Sequence, residues 1–102
     1  MMAYVMGIRP ATGGGGGGNI TGWQLDIVEQ TTPFASGYTI PLSQTPFSAD
    51  AIVLYSEAYP LPYGDNWTYD SGTNEITILF SGNPATDTDD GIWHFQVQYP
   101  YT

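Results

Sequence analysis

The stretch NWTYDSGTNEITILF, residues 66–80, contains the pattern of a complete β-hairpin. On both sides of the turn-forming segment DSGTN, large apolar residues alternate with smaller or polar ones: Trp67, Tyr69, Ile76, Ile78 and Phe80. Alternation with a period of two is typical of strands that bury one face. Gly, Asn, Asp and Ser between two such runs favour a tight reversal of the chain. The stretch therefore predicts two antiparallel strands with one apolar face.

Two segments before this hairpin also carry strand patterns. In GWQLDIVEQ (residues 22–30), apolar and polar side chains alternate: Trp23, Leu25 and Ile27 against Gln24 and Asp26. In GYTIPLS (residues 37–43), one face is apolar: Tyr38, Ile40 and Leu42. Pro41 lacks a backbone N–H, so it predicts that this second strand lies at a sheet edge or contains a bulge.

Two further strands flank the hairpin. The run ADAIVLYSE (residues 49–57) is apolar throughout residues 52–55, which predicts a strand buried on both sides. In GIWHFQVQY (residues 91–99), the alternation predicts one inward set and one outward set of side chains: Trp93, Phe95, Val97 and Tyr99 inward, and Ile92, His94, Gln96 and Gln98 outward.

These strands predict an all-β fold. No window of about a dozen residues shows helical periodicity without an interrupting Pro or Gly. Six to seven strands joined by short loops are typical of a small antiparallel β-sandwich, which we expect over residues 19–102. Residues 1–18 differ in composition and are predicted to form an extended, Gly-rich N-terminal arm.

Charge and cysteine content exclude several functions. The chain has ten Asp and Glu residues, and Arg9 is its single Lys or Arg. Neutralising phosphates requires several basic side chains, so we expect neither nucleic-acid binding nor docking to an anionic membrane. The absence of cysteine excludes disulfides, thiolate catalysis and Cys-based zinc sites. No apolar run is long enough to span a membrane, and residues 1–10 lack the basic start of a signal peptide.

Six consecutive glycines, Gly13–Gly18, precede the first strand. A phosphate-binding loop needs a helix after the glycines, and usually a lysine, and this sequence has neither. The glycines are better explained as a hinge of at most ~20 Å when extended. We therefore predict that residues 1–18 are a docking arm, whose candidate partner-binding residues are Tyr4, Val5, Met6, Ile8 and Arg9. Arg9 is either a contact to a partner carboxylate or a solvated side chain.

No motif in the chain indicates catalysis or a cofactor. His94 lies in a strand without a second His or a Cys, which favours a solvent-facing residue over a metal ligand or general base. The carboxylates of Asp87, Asp89 and Asp90 have a spacing that could hold calcium, but the distal Glu of a calcium loop is missing. They belong either to a cation site or to a solvated loop. We expect no enzyme activity and no cofactor.

Tyrosine is more abundant than a core of this size requires. Tyr59, Tyr63 and Tyr101 are the candidates for a partner-binding surface, together with the neighbouring Tyr55 and Tyr99. Tyrosine is enriched at protein interfaces and stacks well on sugars. The alternative is that several of these rings cover the ends of the sandwich. The chain also has no lysine to protect a sheet edge, and small domains often gain stability by association. We expect a homo-oligomer or symmetric array.

Residues 51–99 resemble a β-sandwich module that recurs in bacteriophage virion proteins, notably tail-fibre and appendage proteins. The positions that match its pattern are Leu61, Gly64, Asn66, Trp67, Tyr69, Gly72, Ile76, Ile78, Pro84, Asp90, Ile92, Val97 and Tyr99. The sequence departs from the pattern in its first turn, where SEAYPLP replaces Asn-Gly, and in a long loop over residues 81–91.

The resemblance implies a structural role in a virion, with the polypeptide repeated around a symmetry axis and other virion proteins, such as capsid or tail subunits, as partners. A capsid-decorating, head-fibre or tail-adaptor component is the expected role. A receptor- or carbohydrate-binding module that uses exposed aromatic rings is the alternative from a different functional class.

Overall fold

The computed structural model describes residues 19–102. The predicted docking arm lies outside the described residues, together with its hinge and its candidate partner-binding residues Tyr4, Val5, Met6, Ile8 and Arg9. The predicted β-sandwich is confirmed. It consists of two antiparallel sheets, one of four strands and one of three strands.

Residues 19–102 contain seven strands, which are β1 (Gly22–Gln30), β2 (Thr39–Pro41), β3 (Val53–Ser56), β4 (Tyr59–Pro60), β5 (Trp67–Asp70), β6 (Glu75–Ile78) and β7 (Trp93–Tyr101). The larger sheet has the order β1-β7-β3-β4, and the smaller sheet has the order β2-β6-β5. A 3-10 turn (Ala49–Ala51) precedes β3, and a short helix α1 (Pro84–Asp87) lies in the loop before β7. In the described part of the chain, no helix is long and apolar enough to cross a membrane.

The predicted hairpin is confirmed as β5 and β6. Trp67, Ile76 and Ile78 are buried, and Tyr69 packs against the same core. The turn is held by side chains: the hydroxyl of Tyr69 donates to Oδ1 of Asn74 over 2.7 Å. Asn74 adopts a left-handed backbone conformation with φ of 57°, which asparagine tolerates better than most residues. The turn residues thus set the register that sends the apolar side chains of both strands inward.

Strand β7 is the centre of the larger sheet. It pairs with β1 along all nine of its residues and with β3 on its other side. Phe95, Val97 and Tyr99 are fully buried against the smaller sheet, while Gln98 is exposed on the opposite face. The predicted inward set is confirmed, since Trp93 also packs against the core. Of the predicted outward set, His94, Gln96 and Gln98 lie in the strand, whereas Ile92 precedes it and is half-buried.

The prediction that residues 52–55 are buried on both sides is wrong. Ile52 and Leu54 are in the core, but Val53 is 40% exposed and Tyr55 is only half-buried. The reason is that the smaller sheet covers one face of the larger sheet, whereas within residues 19–102 no second layer covers the other face. An unbroken apolar run therefore marks a strand whose outer face is also partly apolar.

An aromatic cluster closes one end of the sandwich around Phe34. Its ring lies edge-to-face against Trp93 at a centroid distance of 5.1 Å and against Phe95 at 5.6 Å. Phe34 also exchanges two backbone hydrogen bonds with Gly82. A Cβ atom at Gly82 would lie only 2.6 Å from Cζ of Phe34 and 2.8 Å from Cζ3 of Trp93, so glycine is required for this close approach.

The turn between β3 and β4 is strained. Its two central residues, Glu57 and Ala58, have positive φ angles of 51° and 73°. Two-residue hairpins of this geometry normally carry Asn-Gly, because a Cβ atom disfavours left-handed backbone. The side chain of Glu57 folds back and accepts a hydrogen bond from the backbone N–H of His94. That contact stabilises the turn, whose left-handed backbone conformation is unfavourable for Glu57 and Ala58 themselves.

We predict that Gly82→Ala lowers the free energy of unfolding by about 1–3 kcal/mol, because the added methyl group must displace packed aromatic rings. Urea denaturation followed by tryptophan fluorescence measures the change. Ser81→Ala, at the exposed neighbouring position, is the matched control and should change stability little. Equal stability of the two variants would contradict the packing described at Gly82.

We predict that Ala58→Gly stabilises the protein by about 0.5–1 kcal/mol, because relief of the left-handed strain exceeds the extra backbone entropy that glycine loses on folding. The measurement is again equilibrium denaturation in urea. Ala51→Gly, in the 3-10 turn, is a control without positive φ and should be destabilising. A loss of stability in Ala58→Gly would mean that the turn is not strained.

Candidate interaction surface

Strand β1 is inverted relative to the usual arrangement. Its apolar side chains face outward: Trp23 is 59% exposed, Leu25 46% and Ile27 57%. The alternate positions, which are mostly polar, face the interior and are half-buried. The alternation predicted from the sequence is therefore correct, but its apolar face is not part of the core. We call Trp23, Leu25 and Ile27 the β1 stripe.

Hydrogen bonds explain why polar side chains of β1 face inward. The carboxylate of Asp26 accepts hydrogen bonds from the buried Tyr99 hydroxyl over 2.7 Å and from the Ser43 hydroxyl over 2.6 Å. It also accepts one from the backbone N–H of Ser43 over 3.0 Å. Further along the strand, Oε1 of Gln30 accepts from the hydroxyl of Tyr38. The bonds to Ser43 and Tyr38 attach β1 to the residues on either side of β2 and close the side of the sandwich.

This network shifts two pKa values. Partial burial by itself would raise the pKa of Asp26, but the hydrogen bonds from Ser43, Tyr99 and Gln24 outweigh it, so that the pKa lies below the ordinary 3.8. Burial, followed by the hydrogen bond to Asp26, raises the pKa of Tyr99 above its ordinary 10.0. At neutral pH the carboxylate is therefore charged and the phenol is a donor, as the geometry requires.

The edge formed by β1 differs from the other sheet edges of residues 19–102. On the other side of the larger sheet, β4 has two residues and ends in Pro60. In the smaller sheet, β2 has three residues and ends in Pro41, while β5 is bridged by Tyr63. In contrast, β1 has nine residues in unbroken register, with no proline and no lysine. Long unprotected edges are where proteins add further strands.

The backbone groups on this edge can be assigned. The N–H of Glu57 donates to the carbonyl of His94 over 2.9 Å, so His94 turns its backbone groups toward β3. Because successive residues turn these groups to opposite sides, the odd-numbered residues of β7 face β1 and pair with its even-numbered residues. Within residues 19–102 no strand pairs with the other side of β1, and we call this side the open edge. The N–H and C=O groups that point to it belong to Trp23, Leu25, Ile27 and Glu29.

The outer face of the larger sheet continues the β1 stripe. Gln96 and Gln98 of β7 lie beside it, followed by Val53 and Tyr55 of β3. At the end of this face, the ring of His94 lies between two carboxylates, 3.3 Å from Glu57 and 3.8 Å from Glu29. The prediction that His94 is an outward strand residue is thus confirmed. The face is partly apolar and bordered by acidic groups.

The predicted partner-binding tyrosines are not all on the surface. Tyr59 in β4 is 74% exposed and Tyr63 is 61% exposed, so both are accessible. Tyr101 is half-buried and packs against the core, and Tyr99 is fully buried. The surplus of tyrosine is therefore divided between the surface and the ends of the sandwich.

Tyr63 lines a cavity of about 190 Å³ together with Ala49, Asp50, Ile52 and Trp67. The rings of Tyr63 and Trp67 meet edge-to-face at 5.0 Å. Trp67 is buried, and its indole N–H donates to the carbonyl of Leu61 over 2.9 Å. Tyr63 and the carboxylate of Asp50 are thus the groups at this cavity that offer a ring face and a charge.

The acidic loop before β7 uses its carboxylates locally. Asp87 accepts a hydrogen bond from the backbone N–H of Asn83 over 2.8 Å, and Asp90 accepts one from Ile92 over 3.0 Å. Across residues 19–102, no three His, Cys, Asp or Glu side chains are grouped in a way that could hold a metal ion.

Sequence reasoning missed the β1 stripe as a surface. The alternation of residues 22–30 is the same whichever face points inward. The available signal for an inward polar face was the set of polar side chains on one side of the strand, Gln24, Asp26 and Gln30, in a strand without Pro or Lys. Such side chains can face inward where hydroxyl groups of other segments donate hydrogen bonds to them.

Comparison with known proteins finds no family model, no curated protein and no solved structure that matches this chain.

We predict that Tyr99→Phe lowers the free energy of unfolding by about 1–3 kcal/mol, because Asp26 loses a donor to its charge and the Gln44 N–H loses its acceptor. Urea denaturation at neutral pH provides the measurement. Tyr59→Phe, which changes an exposed tyrosine, is the matched control. If both variants unfold like the parent protein, the hydroxyl of Tyr99 contributes nothing to closing the sandwich.

The lowered pKa of Asp26 predicts a specific acid sensitivity. Its stabilising contribution is complete well above the unfolded-state pKa, near 3.8, and is lost as the pH falls through the lower folded-state pKa. We expect unfolding free energy to fall less steeply below about pH 4 in Asp26→Asn than in the parent protein.

Urea titrations at several pH values measure this slope. Ser43→Ala removes one of the hydrogen bonds that lower the pKa, so its slope should lie between those of the parent and Asp26→Asn. Identical slopes in all three proteins would contradict the assigned role of Asp26.

Proposed function

We propose that this chain is a virion structural protein that binds a larger symmetric assembly as a capsid-decorating, head-fibre or tail-adaptor component. The observation that carries the proposal is the β1 stripe beside a nine-residue open edge. A strand of this length exposes backbone donors and acceptors together with large apolar side chains. Such a surface is stabilised when another protein covers it.

The charge distribution supports the same role. All ten acidic residues lie in residues 19–102, whereas the single basic residue, Arg9, lies in the predicted arm. A net charge of −9 opposes non-specific clumping of free copies. A protein present in many copies needs this protection most if it also exposes an apolar face.

The resemblance of residues 51–99 to phage virion modules supports the proposal from a second direction. The matching positions include Trp67, Ile76, Ile78 and Val97, all of which are buried in the core. They specify the sandwich and carry no reacting group. The proposal therefore assigns no catalytic residue and no cofactor to the chain.

The arm supplies the attachment in this proposal. Residues 1–18 join the sandwich three residues before β1 begins, at the end of the open edge. Gly13–Gly18 give reach past a neighbouring subunit, because glycine has no side chain to obstruct a close approach. Arg9 offers a planar guanidinium to a carboxylate of the partner.

We predict that deleting residues 1–12 leaves the sandwich folded and abolishes incorporation into the particle. The sandwich should persist because the described core and hydrogen bonds lie within residues 19–102. Co-sedimentation with particles that lack the protein measures incorporation, and circular dichroism reports the fold.

A variant in which serines replace Gly13–Gly18 keeps the length of the hinge and serves as the control. It should still incorporate if reach is the main requirement. Normal incorporation of the truncated protein would place the attachment on the sandwich instead of the arm. Failure of the intact protein to bind particles would contradict the virion role.

A carbohydrate-binding module remains the second candidate because of one observation. Tyr63 is exposed and lines a cavity that Asp50 also lines, a combination that suits stacking on a sugar and bonding to its hydroxyl groups. Glycan-array binding by the isolated protein, lost in Tyr63→Ala and retained in Tyr59→Ala, would favour this candidate. Binding to particles alone would favour the virion role.

A further inference from the structure

We propose that β1 is a homodimer interface, in which the strand pairs antiparallel with β1 of a second copy about a two-fold axis at Leu25. The two larger sheets then form one continuous sheet of eight strands. This inference goes beyond the proposed function, since it concerns the isolated protein and holds whether or not the protein belongs to a virion.

The backbone permits this pairing without rearrangement. The groups that point to the open edge belong to Trp23, Leu25, Ile27 and Glu29, so odd-numbered residues of one copy must face odd-numbered residues of the other. Two Leu25 residues at a two-fold axis satisfy this condition and exchange both of their hydrogen bonds. The carbonyl of Leu25 accepts a hydrogen bond from Nε2 of Gln24 over 3.3 Å. A backbone N–H of the partner strand can replace this donor.

The side chains select this register from its neighbours. With the axis at Leu25, Trp23 of each copy lies opposite Ile27 of the other, so the β1 stripe pairs only with itself. An axis at Ile27 would place Leu25 opposite Glu29. An axis at Gln24 would place Ile27 opposite Thr21, and an axis at Trp23 would place it opposite Asn19. Apolar pairs directly opposite each other are the favourable unit of antiparallel sheets.

Charge favours the same register. An axis at Asp26 would bring two Asp26 residues face to face, which like-charge repulsion disfavours. With the axis at Leu25, each Asp26 lies opposite Gln24 of the other copy, and Glu29 lies opposite Thr21. In a protein with ten acidic groups, this arrangement places no carboxylate directly opposite another. The edge is therefore self-complementary, which makes a second copy its natural occupant.

Analytical ultracentrifugation of the full chain, without particles, is the first test. We expect a dimer that Leu25→Lys weakens by about tenfold or more in dissociation constant, because both copies lose an apolar contact at the axis. Val53→Lys, which adds the same charge to the outer face two strands away, is the matched control and should leave the dimer intact. Circular dichroism confirms that both variants fold.

Single cysteines test the register directly, since the chain has none of its own. Opposite residues of a hydrogen-bonded pair have Cα atoms about 5.5 Å apart, within the range of a disulfide. On mild oxidation, Leu25→Cys should cross-link to itself. Trp23→Cys and Ile27→Cys should cross-link efficiently only when the two proteins are mixed, and Val53→Cys should remain uncross-linked.

Three results would overturn the inference. A full chain that stays monomeric at all accessible concentrations would do so, as would a dimer dissociated by Val53→Lys but not by Leu25→Lys, which indicates face-to-face packing. A protein that dimerises only after deletion of residues 1–12 would show that the arm occupies the edge. Each result concerns isolated protein, so none of them decides the virion role.

Discussion

The pairing of β1 with β7 over nine residues is the constraint on which the rest of the structure depends. It fixes the register in which Asp26 lies near the hydroxyl of Tyr99, and it thereby decides which face of β1 turns inward. Once that bond forms, the β1 stripe must face outward, because neighbouring residues of a strand point to opposite sides. One polar contact in the interior thus leaves three large apolar side chains, Trp23, Leu25 and Ile27, on the surface.

The smaller sheet shows how far the sequence alone determines the fold. The hairpin of β5 and β6 was predictable because pattern and turn chemistry agree locally: alternating apolar residues end at DSGTN on one side and begin again on the other. The inward set of β7 was predictable for the same reason, since its apolar positions are aromatic or branched and its alternate positions are mostly polar.

The direction of β1 was not predictable in this way. Its alternation is compatible with either orientation, and the choice depends on Ser43 and Tyr99, which are distant in sequence from Asp26. Long-range hydrogen bonds of this kind produce no periodic pattern in the sequence. The error at β3 has a related cause, because an apolar run does not reveal that only one layer covers its sheet. The candidate surface therefore lies on a strand whose alternation was predicted correctly but whose inward face the sequence pattern did not determine.

The short strand β4 at the far side of the larger sheet has a consequence for how copies can be arranged. It has two residues and Pro60, so it offers little backbone for another strand to bind. If two copies pair through β1 about a two-fold axis, the long edge of each copy is used. Only the short β4 strands then form the outer edges of the combined sheet. The combined sheet then ends after two subunits, and further copies cannot extend it into a filament. Any higher symmetry must be built through other surfaces of the molecule.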